Sequence, residues 1–275
     1  MTTELIQTRT EAGIALLTLA APPANTYSYE MMKQLDAAIL AARMDREVHV
    51  IVLTGARPAA PGAGQKSAPE FFCAGADIKM LEGADPYFKY NFCLHANETL
   101  LRLEQTAKLV IAAINGHCVG GGLEVALACD LRVARKDAGK VGLPEVSLGV
   151  LPGTGGTQRL ARALGKSKAI ELMVEGKNLS IEEARGLGLI NEVIDCGPND
   201  FLAAALSYAR KFVPPGKAAR AVGLIKRAVT SGIEMSLESG LALERELQQR
   251  LFEGDDAKEG IAAYNARRAP SFTGR

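Results

Sequence analysis

The chain has 275 residues, which is enough for one large domain or for a domain with an appendage. Hydrophobic residues make up 48% of it and charged residues 23%, while 32 basic and 31 acidic residues leave a net charge of +1. This composition is that of an ordinary globular protein, and the balanced charge argues against broad binding to nucleic acid or to an anionic membrane surface.

The sequence pattern also argues against a membrane-spanning, a secreted and a metal-binding protein. No apolar run approaches the roughly 20 residues of a membrane span, and the N-terminal MTTELIQTRTEAG does not resemble a signal peptide. The five cysteines are scattered and lack C-x-x-C spacing, which predicts reduced thiols and a cytoplasmic location. The three histidines show no metal-ligand spacing, so we expect no metal site.

The beginning of the chain alternates between strand and helix patterns. The predicted elements are a hairpin formed by 4–9 and 14–20, a helix over 29–43 capped by Ser28, and a buried strand at 49–54. A strand, a helix and a second strand in this order predict a right-handed parallel βαβ unit.

A loop rich in proline, glycine and alanine follows at 57–69 and is predicted to be exposed. The sequence FFC at 71–73 returns the chain to the interior, and the next four residues turn it toward a helix over 86–106. That helix begins with an aromatic cluster, Tyr87, Phe88, Tyr90 and Phe92. These rings either belong to the core or line a ligand pocket, and the sequence leaves both readings open.

The most informative stretch is KLVIAAINGHCVGGGLEVALACD at 108–130. Its apolar run at 108–115 predicts a strand buried on both faces, and residues 123–129 predict the start of a buried helix. Three consecutive glycines, Gly120–Gly122, lie between them. Glycines leave backbone N–H groups open to a ligand, and a helix N-terminus adds unpaired donors and partial positive charge. This corner is therefore predicted to favour an anion.

Two carboxylates stand in apolar sequence, Glu124 in GLEV and Glu145 in LPEV. A buried unpaired carboxylate costs several kcal/mol or has its pKa shifted upward. Each glutamate is therefore either paired with an arginine, such as Arg132 or Arg159, or one of a pair that acts as general base and general acid. Spacing along the chain does not show whether the two glutamates meet.

Helical patterns dominate the rest of the chain. We expect helices over 159–174 and from Ser180, a strand at 189–194, and then helices over 200–212, 216–231, 236–252 and 255–267. This change of character predicts a strand–helix core over 1–196 and a helical C-terminal domain over 197–275. The helical part either mediates subunit association or folds back on its own core.

Three motifs carry a resemblance to a known family: FCAGADIKML (72–81), INGHCVGGGLEVALACDLRVA (114–134) and GLPEVSLGVLPGTGGTQRLARALGKSKAIEL (142–172). In this order they closely resemble the enoyl-CoA hydratase (crotonase) family, over nearly the whole chain. The resemblance implies an α/β fold, a crotonase-like spiral of ββα repeats with an α-helical C-terminal oligomerisation domain. It also implies a homotrimer or a homohexamer built as a dimer of trimers.

The resemblance further implies a chemistry. Family members stabilise an enolate of an acyl-CoA thioester with two backbone N–H groups, which motif matching assigns to Ala74 and Gly121. The hydratases carry two glutamates, matched here by Glu124 and Glu145. By similarity, Glu124 helps activate the water that adds across the 2,3-double bond, and Glu145 delivers a proton to C2, which gives a 3-hydroxyacyl-CoA.

The implied partner is an acyl-CoA substrate, with no nucleic acid, no membrane, no metal and no separate cofactor, since coenzyme A is part of the substrate. The implied substrate- and CoA-binding residues are Ala24, Ala74, Gly75, Ala76, Asp77, Gly121, Tyr264 and Arg267. The last two match positions that a neighbouring subunit supplies in the family. The alternative function is another lyase or isomerase of the family acting on a specialised acyl group, which the aromatic segment at 87–92 suggests.

Overall fold

The computed structural model describes residues 3–59 and 68–274. Residues 60–67, which make up most of the loop predicted at 57–69, lie outside the described residues. The strands are β1 Ile6–Glu11, β2 Ile14–Leu19, β3 Val50–Gly55, β4 Phe71–Cys73, β5 Leu109–Ile114, β6 His117–Val119, β7 Leu131–Arg135, β8 Lys140–Gly142, β9 Asn178–Ser180 and β10 Glu192–Ile194.

Helices connect and cover these strands. They are α1 Tyr29–Met44, α2 Ile78–Glu82, α3 Pro86–Glu104, α4 Gly121–Leu127, α5 Gly156–Leu164, α6 Lys166–Glu175, α7 Ile181–Gly186, α8 Phe201–Arg210, α9 Ala219–Gly232, α10 Leu237–Phe252 and α11 Asp255–Asn265. A short 3₁₀ helix, Glu145–Leu148, lies between β8 and α5.

The strands form two sheets. A six-stranded sheet has the order β1-β2-β3-β5-β7-β10, and a four-stranded sheet has the order β4-β6-β8-β9. In three successive pairs, β3–β4, β5–β6 and β7–β8, the first strand joins the large sheet and the second joins the small one, and a helix follows. This repetition is the predicted spiral of ββα units, and the fold class is confirmed.

The two central strands of the large sheet explain the apolar runs in the sequence. Every residue of β3 and β5 is buried. Alternate residues face opposite sides, so that Ile51 and Leu53 belong to one core cluster while Val50 and Val52 belong to another. The parallel pairing of β2, β3 and β5 confirms the βαβ prediction, and Ser28 caps α1 by accepting a hydrogen bond from the N–H of Met31 at 3.2 Å.

The sequence missed four strands, β4, β6, β8 and β9, each of three residues. Strands this short do not produce a detectable alternation of polar and apolar residues. The single helix expected over 159–174 is two helices, α5 and α6, because Gly165 adopts a left-handed φ of +78° between them.

The C-terminal helices divide between the two roles left open by the sequence. The buried face of α8 (Phe201, Ala205 and Ala209) packs on the large sheet. From α9, the buried Lys226 reaches Asp130 with an Nζ–Oδ2 distance of 2.9 Å. These two helices fold back on their own core, so the domain boundary at 196 stays a prediction.

Within 3–59 and 68–274, no helix combines the length and the apolar character needed to cross a bilayer. Within the same ranges, no group of three histidine, cysteine or acidic side chains is arranged to hold a metal ion. The five cysteines are free thiols, and the cytoplasmic compartment stays a prediction.

Candidate active site

The glycine corner lies where β6 of the small sheet leads into α4. Gly120 has a φ of +56° and precedes the first turn of the helix. A methyl group on Gly121 would lie 2.0 Å from the phenol oxygen of Tyr27, and one on Gly122 would lie 2.0 Å from the carbonyl oxygen of Cys73. Neither position has room for a side chain, so both must be glycine.

The segment Ala74–Asp77 lies against this corner, since a methyl group on Gly75 would lie 2.9 Å from the nitrogen of Gly121. The Ala74 N–H donates to the carbonyl of Ala24 at 3.0 Å, and the Asp77 N–H donates to the carbonyl of Tyr27 at 2.9 Å. The Gly75 N–H contacts Cys73 Sγ at 3.4 Å. In the described part of the chain, the N–H of Ala76 has no acceptor, and neither has that of Gly121.

This pattern corrects one sequence prediction. Ala74 was expected to offer its N–H to a thioester oxygen, but that group is already used by Ala24. The open donor of the segment is the N–H of Ala76, two residues later. Motif matching could not distinguish the two because both residues are alanines in CAGAD and a backbone N–H leaves no mark in the sequence.

Glu124 lies in the first turn of α4 and is only 2% exposed. Its Oε1 accepts hydrogen bonds from the backbone N–H of Thr154 at 2.8 Å and of Gly156 at 2.7 Å. Its Oε2 accepts one from the hydroxyl of Thr154. Three hydrogen-bond donors therefore replace the water that burial removes.

The arginine pairs considered for Glu124 do not form. Arg159 is paired with Glu104 at 3.0 Å. Arg132 is buried and donates to backbone carbonyls, those of Leu189 at 2.6 Å and Cys129 at 2.8 Å. Glu124 is therefore held by hydrogen bonds and not by a salt bridge with either arginine.

A tyrosine extends the hydrogen bonding of Glu124. The phenol oxygen of Tyr27 lies 3.0 Å from Thr154 Oγ1, and both residues are 3% exposed. Burial, followed by the negative charge of Glu124, raises the pKa of Tyr27 well above its usual value, so the phenol keeps its proton. Tyr27, Thr154 and Gly156 are not predicted from the sequence to belong to the site, because nothing in their local pattern marks them as partners of a glutamate.

Glu145 begins the 3₁₀ helix and reaches the same corner from the other side. A methyl group on Gly120 would lie 3.2 Å from Glu145 Oε1. Its Oε2 is buried and has no hydrogen-bond partner among the described residues. Burial, followed by the charge of Glu124, raises the pKa of Glu145 to about 7. The fold thus brings the two glutamates to one corner and gives them opposite environments.

The aromatic segment at 87–92 contributes both to the core and to the lining of a cavity. Phe92 is buried and stacks on Phe88 with ring centroids 6.2 Å apart, whereas Tyr87 and Tyr90 are exposed. A cavity of about 410 Å³ is lined by Tyr29, Tyr87, Phe88, Asn91, Phe92, Leu94, His95 and Glu98. Glu124 and Glu145 are not among its lining residues, but the ring of Phe92 also packs on that of Tyr27, with centroids 6.1 Å apart, and so connects the cavity wall to the site.

The other predicted binding residues fall in two places. Ala24 lies beside Ala74, at the edge of the site. Tyr264 lies in the last turn of α11, with its side chain 85% exposed, and Arg267 follows the helix. A role for these two residues in CoA binding stays a prediction.

Comparison with known proteins shows the family of the chain. A sequence model described as enoyl-CoA hydratase/isomerase matches residues 9–275. The chain belongs to the enoyl-CoA hydratase/isomerase family. It is 38% identical, over all of both chains, to a protein of Rhizobium meliloti named as a probable enoyl-CoA hydratase. It is also 36% identical to a short-chain-enoyl-CoA hydratase of Clostridium acetobutylicum, over 94% of this chain and 93% of that one.

Solved structures agree with this membership of the enoyl-CoA hydratase/isomerase family. A crystal structure of an enoyl-CoA hydratase from Geobacillus kaustophilus superimposes with a TM-score of 0.91 at 42% identity, over 100% of this chain and 98% of that one. The family resemblance read from the three sequence motifs is confirmed.

The raised pKa of Glu145 predicts a pH-dependent cost to stability. The folded protein holds this proton more tightly than the unfolded chain, so stability is lost as the pH rises from about 4.5 to about 7. We expect Glu145→Gln to raise the free energy of unfolding by about 1 kcal/mol at pH 8, a discounted figure because the carboxyl is partly solvated. The difference in the free energy of unfolding between variant and wild type should vanish at about pH 4.

Because the chain has no tryptophan, urea unfolding followed by circular dichroism is the suitable measurement. Glu175→Gln, at an exposed position at the end of α6, is the matched control and should show no such pH dependence. A Glu145→Gln variant less stable than the wild type at pH 8 would contradict the assignment.

Proposed function

We propose that the protein is an enoyl-CoA hydratase, which adds water across the 2,3-double bond of a 2-enoyl-CoA to give a 3-hydroxyacyl-CoA. The observation that carries the proposal is the meeting of Glu124 and Glu145 at the glycine corner in opposite environments. The first carboxyl has three hydrogen-bond donors, and the second has a pKa raised to about 7 and a buried oxygen without a partner among the described residues. The hydratase names of the relatives support the same activity.

The two carboxyl groups have complementary tasks in this reaction. Glu124, ionised, accepts a proton from water as the water oxygen bonds to C3. Glu145, protonated, gives its proton to C2, and the electron pair of the double bond forms the new C–H bond. The proton then held by Glu124 returns to Glu145 through solvent, and the pair is ready for another turnover.

Charge develops on the thioester oxygen when water attacks C3, so donors are needed at that oxygen. We assign this role to the N–H groups of Ala76 and Gly121, which lie in the two adjoining segments and lack an acceptor among the described residues. The N-terminus of α4 adds positive potential at the same point. With these donors and two carboxyl groups the addition needs no metal and no redox cofactor.

The acyl group is proposed to extend toward the cavity lined by Phe88 and Phe92, while the CoA portion follows Ala24 and the backbone of Ala74–Asp77. The aromatic wall is the observation that favours the second candidate, a lyase or isomerase of the family acting on a specialised acyl group. The products distinguish the two candidates, because hydration adds the mass of one water and a double-bond shift adds none.

The glutamate pair gives the main test of hydration. Glu124→Gln and Glu145→Gln should each lower kcat by about 10²- to 10⁴-fold, the usual effect of removing a general acid or base, while acyl-CoA still binds. Turnover is measured on short, long, branched and aromatic 2-enoyl-CoA substrates, with products identified by mass. Glu175→Gln is again the matched control. Near-normal hydration by Glu145→Gln would refute the mechanism.

The donor assignment can be tested one atom at a time. Replacing the Ala76 amide by an ester, through incorporation of lactic acid, removes the N–H and keeps the side chain. We expect kcat to fall by about 10²-fold. The same replacement at Ala74 removes a hydrogen bond within the protein and should lower stability more than kcat. An unchanged kcat with the ester at position 76 would overturn the assignment.

Exposed apolar side chains support the proposed homotrimer or dimer of trimers. The segment after Glu145 exposes Leu148, Val150 and Leu151 by 63%, 55% and 67%, and α9 exposes Ile225 and Val229 by 62% and 59%. Adjacent exposed apolar side chains on this scale are typical of an interface. In such an assembly Tyr264 and Arg267 would serve the CoA site of a neighbouring subunit.

Light scattering after size exclusion should give three or six times the 29.1 kDa mass of one chain. Arg267→Ala should raise the KM for enoyl-CoA and leave kcat unchanged, because it would lose a contact with the CoA end of the substrate only. A monomer at micromolar concentration would contradict both the assembly and the shared site.

A further inference from the structure

The hydroxyl pair behind Glu124 suggests a role that neither the motifs nor the relatives assign. We propose that Thr154, supported by Tyr27, is a positioning residue that stabilises the Glu124 carboxylate by hydrogen bonding and orients its remaining lone pair toward the attacking water. The inference rests on the proposed hydratase function and deepens it, because it says what makes Glu124 the base of the pair.

The hydrogen bonds around Glu124 leave one lone pair of the carboxylate free. An ionised carboxylate offers about four lone pairs. Oε1 uses its two on the N–H groups of Thr154 and Gly156, and Oε2 uses one on the hydroxyl of Thr154. One lone pair on Oε2 remains, and its direction is set by the Thr154 hydroxyl on the same oxygen.

The single hydroxyl proton of Thr154 is thus committed to Glu124, so Thr154 accepts from the Tyr27 phenol at 3.0 Å. The reverse direction would need a protonated Glu124 and a second acceptor for the phenol proton. Among the described residues Thr154 is the only hydrogen-bond partner of that phenol. Both hydroxyl protons therefore point toward the carboxylate and stabilise its charge.

Tyr27 is fixed by the same segment that offers the Ala76 N–H. Its own N–H donates to the carbonyl of Gly75 at 2.9 Å, and its carbonyl accepts from the N–H of Asp77 at 2.9 Å. Its ring packs on Phe92, and its phenol oxygen fills the space where Gly121 has no side chain. The Tyr27–Thr154 pair thus ties the position of the base to that of the proposed oxyanion donors.

Four titratable or charged groups face Glu124 and its partners. They are Glu145 from the 3₁₀ helix, Cys73 at the end of β4, Tyr27 before α1, and Arg159 of α5, which donates to the carbonyl of Thr154 at 3.3 Å. Thr154 itself does not titrate. Its hydroxyl donates to Glu124 and not to Glu145 or Cys73, so replacing Thr154 acts first on the Glu124 carboxylate.

The test compares Thr154→Val, Thr154→Ser and Tyr27→Phe with the wild type, on the enoyl-CoA that the wild type hydrates best. In Thr154→Val we expect the acid limb of the kcat/KM profile to move up by about one pH unit, the effect of one lost hydrogen bond to a charged group. At pH 7, kcat should fall about 10-fold while KM stays within about 3-fold. Thr154→Ser should restore both values, and Tyr27→Phe should shift the limb less, in the same direction.

Thr157→Val is the matched control, because Thr157 lies in the same segment and its hydroxyl bonds only the side chain of Gln158. An equal loss of activity at every pH, with the acid limb unmoved, would show a merely structural role and overturn the inference. If Thr154→Val does not fold, Tyr27→Phe, which keeps the ring, tests the inference in its place, again by whether the acid limb of the kcat/KM profile moves. A wild type that hydrates no enoyl-CoA refutes the proposed function and this inference together, whereas an active wild type with unmoved variants refutes the inference alone.

Discussion

The structure of the site depends on satisfying one buried carboxylate. Glu124 is placed inside α4 by an apolar sequence, and a buried charge without hydrogen bonds would cost several kcal/mol. Its donors come from Thr154 and Gly156, so the segment before α5 must lie against α4. The same stretch of chain begins with Glu145, and fastening one end of it to Glu124 brings the second carboxyl to the glycine corner.

Close approach of backbones makes the rest of the site possible. Gly121 and Gly122 lie against Tyr27 and Cys73 at distances that no Cβ atom could tolerate. At this corner the N–H group of Gly121 has no hydrogen-bond acceptor among the described residues. In the neighbouring segment, Ala74 and Asp77 donate to the carbonyls of Ala24 and Tyr27, and Gly75 donates to Cys73 Sγ, which leaves the N–H of Ala76 for a ligand.

The two glutamates differ in hydrogen bonding as well as in burial. Glu124 is the more deeply buried of the two, and its oxygens accept hydrogen bonds from three donors. Glu145 is half-buried, but one of its oxygens has no partner among the described residues and its pKa is raised to about 7. Hydrogen bonding thus gives two identical side chains different environments, as the proposed acid and base roles require.

The sequence by itself determined the elements with a strong local pattern and the family. The apolar runs of β3 and β5, the Ser28 cap of α1 and the order of the three motifs were all readable, because periodicity, capping and motif spacing are local properties. Only the tertiary structure decided that β4, β6, β8 and β9 are strands, that Ala76 and not Ala74 has the open N–H, and that Thr154 and Tyr27 are the partners of Glu124. These facts depend on hydrogen bonds between segments far apart in the chain, and such contacts leave no periodic signal in the residues that make them.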